Sequence, residues 1–229
     1  MTHNMKVTPP MTTSNEPRWL DWARRVQGIA QTGQHYTENG FDRERYQQLE
    51  ALALEIIDAH TANMNDADLT ELFQTESGYA TPKVDVRGVV FNANKDVLLV
   101  RENLDGGKWT LPGGWADVNT PPSENTEREV LEEGGYRVRA VKLLACYDRR
   151  LHGHPASLFH IYKLFFRCEL LDENPVPSPQ GDLETSEVRW FAEGDLPPDD
   201  EMSIGRVTNK QLRRFYEHLR HPEWPTEFD

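Results

Sequence analysis

The sequence predicts an α+β fold preceded by a small all-helical N-terminal domain. Three observations predict it. Apolar residues recur at three- and four-residue spacings up to about residue 60. From Lys83 the pattern changes to short β-branched and aromatic runs separated by turn residues. Few helical stretches interrupt those runs, which suits mixed strands covered by helices rather than a strict alternation of strand and helix.

Residues 1–17 are rich in Thr, Ser, Asn and Pro and read as a disordered tail. A helix follows from Arg18, with Trp19, Trp22, Ala23, Val26, Ile29 and Ala30 on one face. Asn39-Gly40 punctuates. A second helix begins near Asp42, the expected N-cap, and carries Leu49, Leu52, Ala53, Ile56, Ile57 and His60 as a stripe. A short third helix is expected over Asp66 to Phe73. These helices, residues 18–74, make a thin core, so they are expected to pack on the main domain or on a second subunit. Thr75 to Pro82 reads as a linker.

Strands are expected around Val84 to Phe91 and Val97 to Val100, with Asp105-Gly106-Gly107 as a turn. A helix is expected from Pro122 to Glu133. Strands follow near Val138 to Tyr147, Leu158 to Leu170 and Glu187 to Phe191. A last helix, Asn209 to Leu219, presents Leu212, Phe215, Tyr216 and Leu219 on one side.

The 229 residues carry a formal net charge of -13, and Lys and Arg form no extended cluster. Nucleic acid is therefore a poor partner, since binding it needs clustered cations. A small polyphosphate would also be repelled unless metal cations neutralise its site. No apolar run approaches bilayer length. Residues 1–17 lack the apolar segment of a secretory signal. Cys146 and Cys168 stand far apart with no CxxC spacing, so a reduced, cytoplasmic protein is expected, with both thiols as small apolar groups.

One segment carries chemistry: residues 111–138, LPGGWADVNTPPSENTEREVLEEGGYRV. Gly113-Gly114 lets the backbone approach a partner closely. The following helix places Glu129, Glu132 and Glu133 near one edge, with Arg128 beside them. Like charges at i and i+4 cost roughly 0.2–0.5 kcal/mol in an isolated helix, and anions near a helix C-terminus oppose its dipole. Hard oxygens converging on one point suit Mg²⁺ or Mn²⁺.

The string as a whole resembles the signature of the Nudix hydrolases. Gly114 takes the first position, and Arg128, Glu129, Val130, Glu132, Glu133, Gly135 and Tyr136 match in register. One position departs: the early Glu of the family, which supports the loop–helix–loop, falls on Thr120. The stretch from Gly113 through Asp117 to Asn119, Pro122-Ser123-Glu124, the segment Asp148 to Pro155, the closing Leu196-Pro197 and the helical extension resemble one branch of the family. That branch includes CDP-choline pyrophosphatase and ADP-ribose pyrophosphatase.

The resemblance implies an α/β/α sandwich with a mixed sheet over residues 83–229, and a Mg²⁺-dependent enzyme in which Mn²⁺ can substitute. It implies hydrolysis of a nucleoside diphosphate linked to another group. CDP-choline, giving CMP and phosphocholine, is the specific expectation; ADP-ribose is the alternative. Glu129, Glu132, Glu133 and the Gly113 carbonyl would hold metal. Arg128 would fix a carboxylate, with Glu132 four residues on. Glu129 or Glu184 would act as general base, Glu184 because it stands six residues before Trp190. Asp117, His152 and His154 would lie near substrate. Trp19 and Trp22 are expected in a core or a homodimer contact. A nucleotide sensor that binds without cutting is the alternative from another class.

Overall fold

The structure is a computed structural model that describes residues 16–60, 77–172, 174–175 and 185–229. The expected helix at Asp66 to Phe73 and Glu184 lie outside the described residues, as do residues 1–15 of the expected tail. Two compact units divide the chain: Asn15–Lys83 with Ala156–His160, and Val84–Pro155 with Ile161–Asp229.

In the helical unit, α1 (Arg18–Tyr36) and α2 (Gly40–Asp58) join through a short turn. The cap of α2 is Asn39, whose Oδ1 accepts from the backbone N–H of Phe41 at 2.8 Å and of Asp42 at 3.3 Å. This corrects the expectation that Asp42 caps: the asparagine three residues earlier already satisfies the orphan donors. Ala23 and Ile57 form the centre of this unit, with Trp19, Leu54, Ile56 and Leu158 packed around them. Trp19 also stacks on His60, ring centroids 4.6 Å apart. Trp22 and Ile29 are exposed, although they share the expected face with Ala23 and Ala30.

The second unit is built on two sheets. One runs in the order β1 (Lys83–Val90), β5 (Ile161–Leu170), β4 (Val138–Asp148), β7 (Glu227–Phe228); the other runs β3 (Lys108–Thr110), β2 (Val97–Glu102), β6 (Thr185–Phe191). Neighbouring residues on one strand feed opposite cores, as period-two geometry requires. Val89, Val97 and Leu99 join Phe165, Trp109 and the apolar side of α4 (Asn209–Arg220), where Leu212, Phe215 and Tyr216 are buried. Val90 and Leu98 join Val138, Cys168 and Val130 of α3 (Pro122–Gly134). Gly88 makes the second contact possible: a Cβ there would lie 2.3 Å from Val130 Cγ2. The capping box of α4 is complete, with Thr208 and Gln211 exchanging side-chain bonds to each other's backbone N–H.

The three-residue β3 and two-residue β7 have no counterpart among the sequence expectations, because neither is long enough to show an alternating pattern. Beyond α4 the chain returns so that β7 lies parallel beside β4, Ala145 opposite Glu227 and Cys146 opposite Phe228. Glu227 anchors it by accepting from Tyr147 Oη at 2.6 Å and pairing with His218 Nε2 at 3.0 Å. Lys142 Nζ donates to the Pro222 carbonyl at 2.8 Å. Among the described residues no helix is long and apolar enough to cross a membrane.

Candidate active site

Residues Pro112 to Ala116 run beside β1. Gly88 N–H donates to the Pro112 carbonyl at 2.9 Å, Val86 N–H to Gly114 at 2.8 Å, and Ala116 N–H to Val84 at 2.9 Å. Gly113 sits at the closest approach, with φ of +141°. A Cβ on it would lie 2.1 Å from the Val86 carbonyl oxygen, so both the dihedral and the space require glycine. This fixes the Gly113 N–H where it donates to Glu133 Oε2 at 2.8 Å. The helix that brings Glu133 is held in turn from β6, where Thr185 Oγ1 donates to the Glu133 carbonyl at 3.2 Å.

Arg128 gathers the rest. Its guanidinium pairs with Glu132, with Glu129 Oε1 at 2.7 Å and with Asp117 Oδ2 at 2.8 Å, and donates to Asn125 Oδ1 at 2.9 Å. Gly113, Asp117, Arg128, Glu129, Glu132 and Glu133 therefore meet where α3 faces the Gly113 loop. Burial pushes the Glu133 carboxyl up to about 8, against the opposing pull of Arg87 and the Gly113 N–H. Burial also raises Glu129, although Arg128 opposes the shift.

Three charged residues beneath this cluster were not anticipated from the sequence. Asp85 and Arg87 on β1 and Lys163 on β5 are all buried. Arg87 grips Asp85 with two nitrogens, Nε to Oδ1 at 3.1 Å and Nη2 to Oδ2 at 2.7 Å, and donates through Nη1 to the Leu111 carbonyl at 3.1 Å. Lys163 Nζ bonds Asp85 Oδ1 at 2.7 Å. Burial alone would raise Asp85, but these two cations outweigh it and hold the carboxyl at about 2. Burial, reinforced by Arg87, brings Lys163 down to about 8 despite the attraction of Asp85. The available sequence signal was a charged pair at alternate positions inside an otherwise apolar strand.

The two loop histidines have other partners. His154 Nδ1 bonds the Ile204 carbonyl at 2.7 Å and its Nε2 meets Gln211 Nε2 at 3.1 Å. The neutral tautomer with Nδ1–H satisfies both contacts, and burial depresses its pKa to about 3. Both ring nitrogens of His154 are thus engaged inside the fold. His152 stacks on Tyr147, centroids 3.7 Å apart, and pairs with Asp229 at 2.8 Å. Cys168 is buried and Cys146 half-buried, both as free thiols.

The donor set offered by Gly113, Glu129, Glu132 and Glu133 is entirely hard oxygen, and its most buried carboxylate pays a desolvation penalty that a cation would relieve. The chemistry therefore fits a divalent ion such as Mg²⁺. Among the described residues, no group of three or more acidic, His or Cys side chains is arranged so that it could hold a metal ion; Arg128 holds two of the glutamates instead.

The second unit thus sets glutamates of one helix against a glycine loop. Residues 81–211 match the model of the NUDIX domain, and residues 17–73 match a UDP-X-like, N-terminal oligomerisation domain. The chain is 40% identical over 219 residues to the Bacillus subtilis (strain 168) protein YjhB, named provisionally as an ADP-ribose pyrophosphatase, covering 93% of this chain and 98% of that one. A crystal structure of an ADP-ribose pyrophosphatase from Streptococcus suis 89-1591 superposes with a TM-score of 0.56 at 36% identity, covering 65% of this chain and 100% of that one. A crystal structure of UDP-X diphosphatase superposes with a TM-score of 0.56 at 29% identity, covering 93% of this chain and 98% of that one. The chain belongs to the Nudix hydrolase family.

Proposed function

We propose that this enzyme hydrolyses the pyrophosphate of a nucleoside diphosphate linked to a second group, releasing a nucleoside monophosphate and a phosphorylated product. The observation that carries the reading is the bond from the Gly113 N–H to Glu133, with the Glu129 carboxylate beside Gly114 of the same loop. ADP-ribose is the first substrate we infer, because relatives aligned over most of their length bear that name. The UDP-X diphosphatase neighbour supports the wider NDP-X class. CDP-choline belongs in the same class and in the same test.

Glu129, Glu133 and the Gly113 carbonyl would hold Mg²⁺, with Glu132 in support; Mn²⁺ has the same preference for oxygen. When bound, the ion supplies Lewis-acid polarisation of the phosphate oxygens and offsets charge on the departing group. Arg128 fixes Glu129 and Glu132 in place, leaving little side-chain freedom to lose on substrate binding. A carboxylate must accept the proton of the attacking water. Glu129, on the helix that faces the Gly113 loop, is one candidate; Glu184 remains a sequence expectation.

The test is turnover of ADP-ribose, CDP-choline, a UDP-sugar and common nucleoside triphosphates with Mg²⁺. The expected result is hydrolysis of at least one NDP-X compound and a loss of roughly 10²–10³-fold in Glu133→Gln. Turnover of triphosphates alone would overturn the substrate class. Tight binding without turnover across the panel favours a sensor.

We also infer a homodimer through the helical unit. Trp22, Ile29 and Tyr36 recur seven residues apart on α1 and are 48%, 58% and 66% exposed. A heptad-spaced apolar stripe is the pattern of a helix seam, and the family model matching residues 17–73 is described as an oligomerisation domain.

A further inference from the structure

We infer that Asp117 is a positioning residue: the loop-side anchor of Arg128, through which the glutamates of α3 are held in register with the Gly113 loop. The inference rests on the metal-binding reading above for its functional meaning, whereas the bonds that carry it involve no ion.

The loop from Gly113 to Thr120 has two halves. The inner half is buried at Gly113, which donates to Glu133. The outer half is not held by burial, since Trp115 is 53% and Val118 87% exposed. Ala116 N–H donates to the Val84 carbonyl at 2.9 Å, which pins this half to β1 but does not reach α3. The tie to α3 comes one residue later: Asp117 Oδ2 accepts from Arg128 Nη2 at 2.8 Å. Asn119, left-handed with φ of +62°, then turns the chain toward the start of α3 at Pro122. Asp117 is the only acidic residue from Leu111 to Pro122, and Thr120, where the signature departs, brings no carboxylate. The loop therefore has no second carboxylate to offer Arg128.

On the helix side the same nitrogen holds a glutamate. Arg128 Nη2 also donates to Glu129 Oε1 at 2.7 Å and to Asn125 Oδ1 at 2.9 Å, while Nη1 pairs with Glu132. Asp117 thus shares the donor that orients Glu129. Without its loop partner, the guanidinium is left to the two glutamates alone and competes with a cation for them. The ion pair itself is wet, with 62% of the Asp117 side chain and 37% of the Arg128 side chain exposed, so it contributes little to global stability. Placement and stability are therefore separable at this residue.

Two measurements on the full chain test the role. In the metal-free protein, Asp117→Asn speeds hydrogen exchange of the Gly113 and Ala116 amides, while the urea midpoint stays that of the wild type. Calorimetry with Mn²⁺ then shows binding weakened by about tenfold. Loss of a negative charge would by itself weaken a cation, so a cycle with Arg128→Gln decides. In that background Asp117→Asn changes neither exchange nor Mn²⁺ affinity further. Additive losses of affinity mean that Asp117 acts on the ion by its charge or by contact, and overturn the assignment. Exchange at the wild-type rate in Asp117→Asn overturns it too, as does a urea midpoint that falls with the affinity. If Arg128→Gln binds no Mn²⁺, the cycle is read in exchange, and additivity there overturns the assignment. Faster, non-additive exchange with no Mn²⁺ bound by the wild type upholds the tie and rejects the metal reading instead.

Discussion

At the scale of single residues, conformation and charge decide the site. Gly113 is required twice over, by its φ and by the Val86 carbonyl beneath it. Gly113→Ala should cost about 1–3 kcal/mol of unfolding free energy, read from urea denaturation, and should reduce activity further by shifting the loop. His154 gives a pH prediction. In the unfolded chain it takes up a proton near its ordinary value of 6.5, while in the fold it stays neutral down to about 3. The unfolded state then binds more protons across that window, so this residue's contribution to stability falls as pH drops from about 6.5 toward 3. His154→Gln should melt lower at pH 7.5 and lose less on acidification to pH 5; an unchanged pH slope would remove His154 from the account. The glutamates, Arg128 and the glycine loop were legible because their types recur in a fixed register. Asp85, Arg87 and Lys163 were not, because alternation of charged and apolar residues in a strand reads by default as a wet face and a dry one. Here the charged face is turned inward, where Arg87 and Lys163 both pair with Asp85.

At the scale of elements, the cost of a substitution tracks what the element buries. Asn39 caps a helix at the surface, so Asn39→Ala should cost about 1 kcal/mol. Phe215 on α4 lies fully within the larger core, so Phe215→Ala should cost roughly 3–5 kcal/mol. Guanidinium or urea titration of the two variants checks the ratio, and equal losses would place Phe215 outside the cooperative core. Long elements with a clear period, α1 and α3 to β6 among them, were readable within a few residues. The failures were local. Asp42 drew attention as a cap because a charged residue is conspicuous, whereas Asn39 does the work through one amide oxygen. The strands β3 and β7 exist only because longer strands offer them unpaired edges, a tertiary cause that no short window of sequence displays.

At the scale of the whole molecule, the inferred seam on α1 makes a clear prediction. A Trp22→Glu, Ile29→Glu double variant should run as a monomer in light scattering at micromolar concentration, whereas the wild type runs as a dimer. A monomeric wild type would reject the seam. The sandwich around α3 leaves this test separable from catalysis in its readout, since the expected change is in mass and not in the glutamate cluster. The returning C-terminal segment carries a different consequence. In the four-stranded sheet, β7 lies outside β4, so two residues stand between β4 and open water. An uncovered strand edge is a template for strands from other molecules. Glu227, held by Tyr147 and His218, keeps this short strand on that edge. Removal of the last three residues should therefore leave the glutamate helix in place and raise self-association in light scattering; an unchanged mass would show that β7 does not guard the edge.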